Sequence, residues 1–519
     1  MKQQSIAAIK RYRTRRLASL ATRCYYLHRR GKDEQMATLL CDEFVALGGV
    51  YIKFLQGVLL QSKFLKKWQN PDRLKIFENL ESEHLDIVTL LQRELPAKQL
   101  AKITMVQPQP FAAGSFGQVY YGQLANGQPI IIKVLRPMVR DLLRYDLRLL
   151  STFSKSFFAK LYKNMNLQVD EALNEFRQAT LRETDYHHEA DFAREMHEAY
   201  KENPKFIVPE TYLDLCTDNI IVQDYVPGIS VAQVIKLKEQ GYDPSEYIFE
   251  TLGSNLDVQL TTLGYESMLG IFRLDRIQGD PHPGNIRLMT EDRVGLIDFG
   301  ISATSPHEKA ALFGMFKAYD SLFNGSQTAV ALFEQGLRFF VSDLYRALKK
   351  LASIYGKGDD KDYLGEVSGI AAKAFAELTG SDIIEANFAQ DNSALVVINR
   401  LVNKGNRFGL IMRLEASDIL RAVQTYTSLV SSLGRYQSVL PPMMNRVIQD
   451  VERLYPDSIN DQDDSIDVGD AIDIIMKWLE RVAERDPALF RQLMSKIRLG
   501  NDKPKVKPAK VNKEGQAHA

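Results

Sequence analysis

Residues 279–300 read GDPHPGNIRLMTEDRVGLIDFG, and the reading of this stretch decides the fold. Asp280 is followed five residues later by Asn285, and Asp298 then opens an Asp-Phe-Gly triplet. These residue types in this order suit one chemistry. A carboxylate can receive or orient the proton of an attacking group. An amide oxygen and a second carboxylate are hard oxygen donors that can hold Mg²⁺ against phosphates. Pro281, Pro283 and Gly284 fix a tight loop between Asp280 and Asn285. Val294 to Ile297 reads as a short buried strand that delivers Asp298 to a cleft. The triplet alone carries little weight; the Asp, the Asn and the strand at this spacing carry much more.

Working upstream, the apolar period changes from helical to strand-like. Phe111–Lys133 reads strand, turn, strand, with Ala125-Asn126-Gly127 as the hairpin signal between Gln118–Leu124 and Pro129–Leu135. Ahead of the hairpin lies AAGSFGQV, residues 112–119. Against the phosphate-covering kinase loop G-x-G-x-x-G-x-V, the Gly positions are Ala112, Gly114 and Gly117. Ala113, Ser115 and Phe116 lie between, and Val119 comes last. Glycine serves where backbone N–H groups approach phosphates closely, and Ala112 cannot adopt φ > 0 cheaply. Lys133 closes an Ile-Ile-Ile-Lys run fourteen residues after Val119, like the phosphate-pairing Lys of V-A-I-K. The bland alternative is a strand-end lysine that snorkels to solvent.

A phosphate-pairing lysine needs a carboxylate partner from a helix packed on the sheet. The long helical pattern from Asp170 to Tyr200 offers Glu175, Glu183, Asp185, Glu189, Asp191 and Glu195, and periodicity selects none of them. Phe206–Leu213 and Asn219–Val226 read as two more strands, ended by Pro227-Gly228. These strands, the hairpin and one helix make the plan of a kinase N-lobe. Asp224-Tyr225-Val226 would be its hinge, whose backbone groups bond a purine edge. From Ser230 the chain reads as helical up to the Asp280 loop. His282 has no second ligand at zinc spacing, so it reads as a structural hydrogen-bonding group.

The chain has 519 residues, enough for two or three domains, with ordinary apolar (45%) and charged (25%) content. A net charge of +1 leaves no global basic field for nucleic acid. The charge is uneven, because residues 1–32 hold ten Lys/Arg and no acid. Cys24, Cys41 and Cys216 show neither metal-ligand spacing nor a disulfide framework, which suits a reducing compartment. No run of 18 apolar residues and no signal-peptide core appear. Met1 to about Arg30 reads as a basic helix, open to three readings: a solvated face, an arm on an anionic membrane surface, or an organelle transit peptide.

Leu39–Ser62 is densely apolar and interrupted by Gly48-Gly49. Lys53 and Gln56 share one helix face there; taken alone this is a helix with one snorkelling lysine. Residues 70–105 read as helical from the Asn70-Pro71 start, and residues 306–455 as mostly amphipathic helices. Asp457–Asp473 holds seven aspartates and no base. It reads as an acidic linker, because Ile466 and Ile472 stand where a calcium loop needs Gly and Glu. A final amphipathic helix is expected over Ala471–Ile497 and a disordered tail over Asn501–Ala519.

On these motifs the sequence resembles the UbiB/AarF family of atypical, protein-kinase-like proteins linked to isoprenoid quinone (coenzyme Q) biosynthesis. GDPHPGN resembles the family's ADPHPGN loop, and AAGSFGQV its Ala-rich loop AAASIGQV. Leu47–Gln56 resembles the K-x-G-Q helix, and Glu183-Thr184-Asp185 the E-x-D motif. The chain departs at Leu55, where the family has Gly, and at Gly114, where it has Ala. The resemblance implies that Glu189 partners Lys133 and that Glu183 contacts Lys53. It assigns a regulatory part to Lys53, Gln56, Glu183 and Asp185, and the K-x-G-Q helix would cover the cleft where a protein kinase takes a peptide. The expected fold is α+β: a bilobal protein-kinase-like domain (N-lobe 106–226, C-lobe 227–345) with a helical N-terminal extension (1–105), a helical C-terminal region (346–500) and a tail (501–519). The expected cofactors are ATP and Mg²⁺, with Asn285 and Asp298 on the metal and Asp280 acting on the acceptor. The expected function is an atypical kinase or ATPase supporting quinone synthesis or lipid homeostasis on a small or lipid-associated substrate. The rival is a nucleotide-binding scaffold without phosphotransfer. The expected location is cytoplasmic or peripheral at the inner membrane face, with a mitochondrion or plastid as the alternative.

Overall fold

In the computed structural model, the described residues are 6–55, 85–114, 116–161, 166–323, 335–336, 338–355, 414–460, 466–488, 490–491 and 494. They fall into two compact units. The first comprises Met1–Thr304 with Arg421–Leu440, the second Ser305–Leu420 with Pro441–Ala519.

The first unit opens with three helices, α1 (Ile6–Arg29), α2 (Asp33–Leu47) and α3 (Val50–Phe54). The break before α3 is made by Gly48 and Gly49, both in the left-handed region at φ 71° and 51°. In α1, Leu17, Leu20 and Cys24 share the buried face, as three- and four-residue spacing dictates. Phe44 is the hub beneath them: its ring meets Tyr51 and Phe153 edge-on at 5.7 Å and tilts against Phe54 at 6.3 Å. Leu55, bulkier than the family's glycine, is fully buried in the same cluster.

Helices α4 (Ile87–Glu94) and α5 (Ala97–Leu100) follow, the first capped by Asp86 accepting from the Thr89 N–H at 3.1 Å. The main sheet then forms from β1 (Ile103–Val106), β2 (Ala112–Ala113), β3 (Gly117–Leu124), β4 (Pro129–Leu135) and β6 (Ile220–Asp224). Its order is β1-β3-β4-β6, with β2 paired to β3, and its paired strands run antiparallel. In β3 alternate residues are buried, the period of a strand. The β3–β4 hairpin turns as expected, with Gly127 at φ 86°.

Three expectations need correction. Residues 103–106 are strand β1 rather than the end of a helical stretch. Its backbone pairs with Gly122–Leu124, a partner that local periodicity does not reveal. The single helical pattern over 170–200 is α7 (Asn166–Glu183) and α8 (Tyr186–Tyr200), with α6 (Val139–Leu161) before them. The break falls at Thr184-Asp185, where Asp185 accepts from the His188 N–H at 3.2 Å and caps α8. Finally, Phe206–Leu213 is not one strand. Its start is β5 (Phe206–Ile207), which pairs parallel with β10 (Val294–Leu296) in another sheet, while Thr211 forms a single antiparallel bridge with Gln223 of β6 in the main sheet.

That second sheet has the order β5-β10-β9-β7, with β7 (Ile229–Ser230), β9 (Ile286–Leu288) and β10 (Val294–Leu296). Helices α9 (Val231–Glu239), α10 (Pro244–Leu252) and α11 (Leu256–Arg273) precede β9, and a separate ladder pairs β8 (Arg276–Gln278) with β11 (Ser302–Thr304). Gly228 must be glycine: at φ 120°, a Cβ there would lie 2.3 Å from the Leu288 carbonyl oxygen.

The second unit carries α12 (Lys309–Phe323), α13 (Ser342–Tyr355) and α16 (Val468–Arg485). Helices α14 (Leu414–Ser432) and α15 (Tyr436–Leu454) contribute residues to both units. Helix α16 starts before the expected Ala471, because Asp467 of the acidic stretch caps it by accepting from the Gly469 N–H at 2.7 Å. The expectations for 356–413, Asp461–Ser465 and the 501–519 tail lie outside the described residues.

One buried carboxylate fastens the N-terminal helices together. Asp146 of α6 is 2% exposed, pairs with Arg13 of α1 and accepts from the Tyr51 hydroxyl of α3 at 3.2 Å. Asp146→Ala strands a guanidinium and a phenol and should lower unfolding free energy by about 3 kcal/mol. Urea unfolding of the variant against wild type measures it.

Candidate active site

The register of the hairpin sets the site. Val119 and Lys133 are directly opposed across β3 and β4, so both face the same side of the sheet. Lys133 Nζ donates to Glu189 Oε1 at 2.7 Å and to the Ile297 carbonyl at 3.1 Å. Glu189 lies in the first turn of α8, so the Asp185 cap also fixes the partner of Lys133. Strand β10 delivers Asp298 beside this pair. Phe299 is fully buried and packs edge-on against Phe192 of α8 at 6.0 Å. The Asp-Phe-Gly triplet is thereby pinned to the helix that carries Glu189.

The loop after β8 is built from its prolines and His282. The His282 N–H donates to the Asp280 carbonyl at 2.7 Å, and the Asn285 N–H to the His282 carbonyl at 2.8 Å. His282 Nδ1 accepts from the Gly284 N–H at 3.2 Å. This is the structural role expected of it. The Ile297 N–H then donates to the Asn285 carbonyl at 3.1 Å, which binds the loop to the Asp298 strand.

A cavity of about 300 Å³ joins these parts. Lys53, Gly114, Phe116, Gly117, Val119, Lys133, Glu183, Glu189, Asp280, Asn285 and Asp298 all line it. Lys53 forms an ion pair with Glu183, and its ammonium lies 5.4 Å from the centre of the Phe116 ring. The extension thus places a second lysine in the cleft. The bulk of Leu55 does not hold α3 away.

Other expected residues stand elsewhere. Ala112 and Ala113 are exposed in β2, which is extended, so Ala112 needs no positive φ. Asp185 is a helix cap. Asp224 and Val226 do not line the cavity: the Asp224 carboxylate accepts from Gln128 Nε2 at 2.9 Å and the Tyr212 hydroxyl at 2.7 Å, and the Asp224 N–H donates to the Glu210 carbonyl. Gln56 and Ser115 lie outside the described residues. Gln278 and Tyr186 are among the lining residues that escaped the sequence reading. Gln278 donates to the Asp280 carbonyl at 2.5 Å and ties β8 to the loop. Tyr186 brings its hydroxyl so close to Gly117 that a Cβ there would sit 2.8 Å away. A strand-end Gln two residues before Asp280 was the signal available for the first; the second left none.

The electrostatics follow from burial among carboxylates. Burial disfavours charge on Lys133, but Glu189 and Asp298 outweigh it and hold its ammonium above the usual lysine range. Burial also pushes the Glu189 carboxyl up, Lys133 opposing and Asp298 adding repulsion. The proton stays on Lys133, and the third carboxylate raises proton affinity across the pair. Burial raises Asp280 as well, with His282 pulling against it. Burial brings Lys53 down to about 8, with Asp298 and Asp280 opposing.

Four lining carboxylates face two lysines, an excess of negative charge that suits a divalent cation. Among the described residues no group of three or more His, Cys, Asp or Glu is placed to hold a metal. Asn285 and Asp298 both line the cavity, and their side chains carry oxygen donors.

Residues 78–330 match the ABC1 atypical kinase-like domain. This stretch is an ABC1 domain. The chain is 30% identical over 298 residues to protein ACTIVITY OF BC1 COMPLEX KINASE 1, chloroplastic, of Arabidopsis thaliana, covering 54% of this chain and 41% of that protein. It is 25% identical over 308 residues to the chloroplastic kinase 3 of the same name and organism (58% and 40% covered). To the probable protein kinase UbiB of Azotobacter vinelandii it is 25% identical over 273 residues, covering 51% and 46%. The chain spans less than half the length of these curated relatives. The resemblance to the UbiB/AarF family is borne out, and with it an α+β, protein-kinase-like fold. Among the described residues, no helix is long and apolar enough to cross a membrane.

Lys53 gives the ABC1 domain a pH signature. Its native value lies near 8 and its ordinary value at 10.5, so the folded state holds fewer protons between them. Stability from this group therefore rises with pH across that window. Amine acylation read by mass spectrometry should show Lys53 labelling inflect near pH 8, well below the surface lysines.

Proposed function

We propose that the ABC1 domain binds Mg-ATP in this cavity and acts as an ATPase or small-molecule kinase, in support of isoprenoid quinone synthesis or lipid homeostasis. The Lys133–Glu189 pair carries the proposal: a buried lysine beside Asp298, on a cavity that Asp280 and Asn285 also line. In protein kinases the same pairing is required for phosphotransfer. Loop 112–119 covers the phosphates, and Lys133 pairs with them. Asn285 and Asp298 would hold Mg²⁺, which when bound neutralises phosphate charge. Asp280 receives or orients the proton of the acceptor, and its raised carboxyl suits proton acceptance. With Lys53 of the extension in the cleft, a small or lipid-associated acceptor fits better than a peptide.

Mg-ATP should raise the melting temperature by mass action. Asp298→Asn should abolish the metal-dependent part of that rise. Asp280→Ala should keep nucleotide binding and lower phosphate release by about 10²–10⁴-fold. A wild-type protein indifferent to Mg-ATP would refute the reading.

The location we propose is peripheral, through α1 on an anionic membrane. Tyr12, Tyr25 and Tyr26 of α1 are exposed, a belt suited to an interface. The charge available is smaller than the sequence suggests, because Arg13 pairs with Asp146, and Arg16 and Arg23 with Glu43. Liposome co-sedimentation should require anionic lipid and fall as salt rises.

A further inference from the structure

A second cavity of the first unit, about 580 Å³, shares no lining residue with the active site. It lies where the end of β4, the start of α6, α4 and the first described residue of α1 meet. Its charged lining is Arg93, Arg136 and Arg140 against one carboxylate, Asp141. Leu90 and Leu135 supply an apolar wall.

The three guanidiniums are not equally engaged. Arg140 pairs with Asp218 at 2.8 Å at the surface. Arg93 is exposed and pairs at 2.9 Å with the largely buried Glu94, which also accepts from Asn219 Nδ2 at 3.0 Å. An exposed pair such as Arg140–Asp218 is weak and exchanges readily for a better-placed anion. Arg136 binds no carboxylate: its Nη2 donates to the Gly114 carbonyl at 3.2 Å, and its Nε is a buried donor without an acceptor. A buried donor left unmade is costly, which favours a ligand acceptor there. The turn between Arg136 and Arg140 is strained, with Met138 at φ 65°, a conformation that non-glycine residues avoid and that clusters at ligand clamps.

Arg136 also touches the active site. Its N–H donates to the Phe116 carbonyl at 2.8 Å, so it grips loop 112–119 at both Gly114 and Phe116. We propose that this cavity binds a phosphate monoester with a short apolar substituent. Arg136, Arg140 and Arg93 take the phosphate, the leucine wall takes the substituent, and occupancy is passed through Arg136 to the phosphate-covering loop. Guanidinium forks suit phosphate because they offer paired, charge-assisted donors. Binding here is independent of the nucleotide reading; only the consequence for the loop rests on it.

The test uses the full chain without Mg²⁺ or nucleotide. Pentyl phosphate should raise Tm more than inorganic phosphate does. The rise should persist in Lys133→Met, checked for folding by circular dichroism, which removes one of the two active-site lysines. It should weaken roughly tenfold or more in concentration dependence in Arg93→Gln/Arg140→Gln, which leaves the loop contacts intact. Arg136→Gln, checked for folding by circular dichroism, should lose it too. Persistence in the arginine variants, or loss in Lys133→Met, would place the anion elsewhere and overturn the proposal. Phosphatidylcholine vesicles with and without phosphatidic acid distinguish the source. Recruitment by phosphatidic acid alone that is lost in Arg93→Gln/Arg140→Gln, which separates it from binding through α1, assigns a lipid headgroup; equal response to pentyl phosphate assigns a soluble ester, and response to neither refutes the site. Hydrogen exchange over 112–117 should slow on binding, and unchanged exchange would disprove the link to the loop.

Discussion

A lysine buried among carboxylates is the constraint on which the rest of this structure depends. Lys133 is costly to bury and is stable there only with Glu189 2.7 Å away and Asp298 beside it. Each neighbouring element keeps that arrangement in place. The hairpin register turns Lys133 to the cleft. The Asp185 cap begins α8 one turn before Glu189. Phe299 locks the Asp-Phe-Gly triplet on Phe192 of the same helix. The excess of carboxylates is what makes the cavity attractive to cations, and the extension answers it with Lys53.

That answer changes the character of the cleft. Lys53 comes from outside the kinase-like core yet feels Asp298 as Lys133 does, and Asp280 as well. The short helix that carries it is held through Tyr51 to Asp146, and Asp146 to Arg13 of α1. The N-terminal helix is therefore tied by polar contacts through a hydrophobic cluster to α3, the helix that carries Lys53 into the cavity.

Much of this was legible in the sequence because it is local. The Asp280–Asn285–Asp298 spacing, the Ala125–Gly127 turn and the Gly48-Gly49 break each act within a few residues. Glu189 could be chosen over Glu175 or Glu195 only through resemblance, since all lie on one helical pattern. What escaped was non-local. Strand β1 pairs with residues near 123, β5 crosses to β10, and the partners of Asp146 lie 95 and 133 residues away in sequence. No window of sequence records such contacts. The charge of α1 was misjudged for the same reason, because the acids that neutralise it belong to α2 and α6.

The first unit is not a continuous piece of chain, because it ends at Thr304 and resumes at Arg421. The returning segment is not decoration. Tyr426 is fully buried, donates its hydroxyl to the Leu260 carbonyl at 2.9 Å, and lies so close to Gly264 that a Cβ there would be 2.2 Å from its oxygen. During synthesis the whole kinase-like core has therefore left the ribosome while one face of α11 still lacks its cover. Completion of that core waits for more than a hundred further residues to be translated. A fragment ending at Thr304 would hold every residue that lines the cavity and still expose the groove made by Gly264.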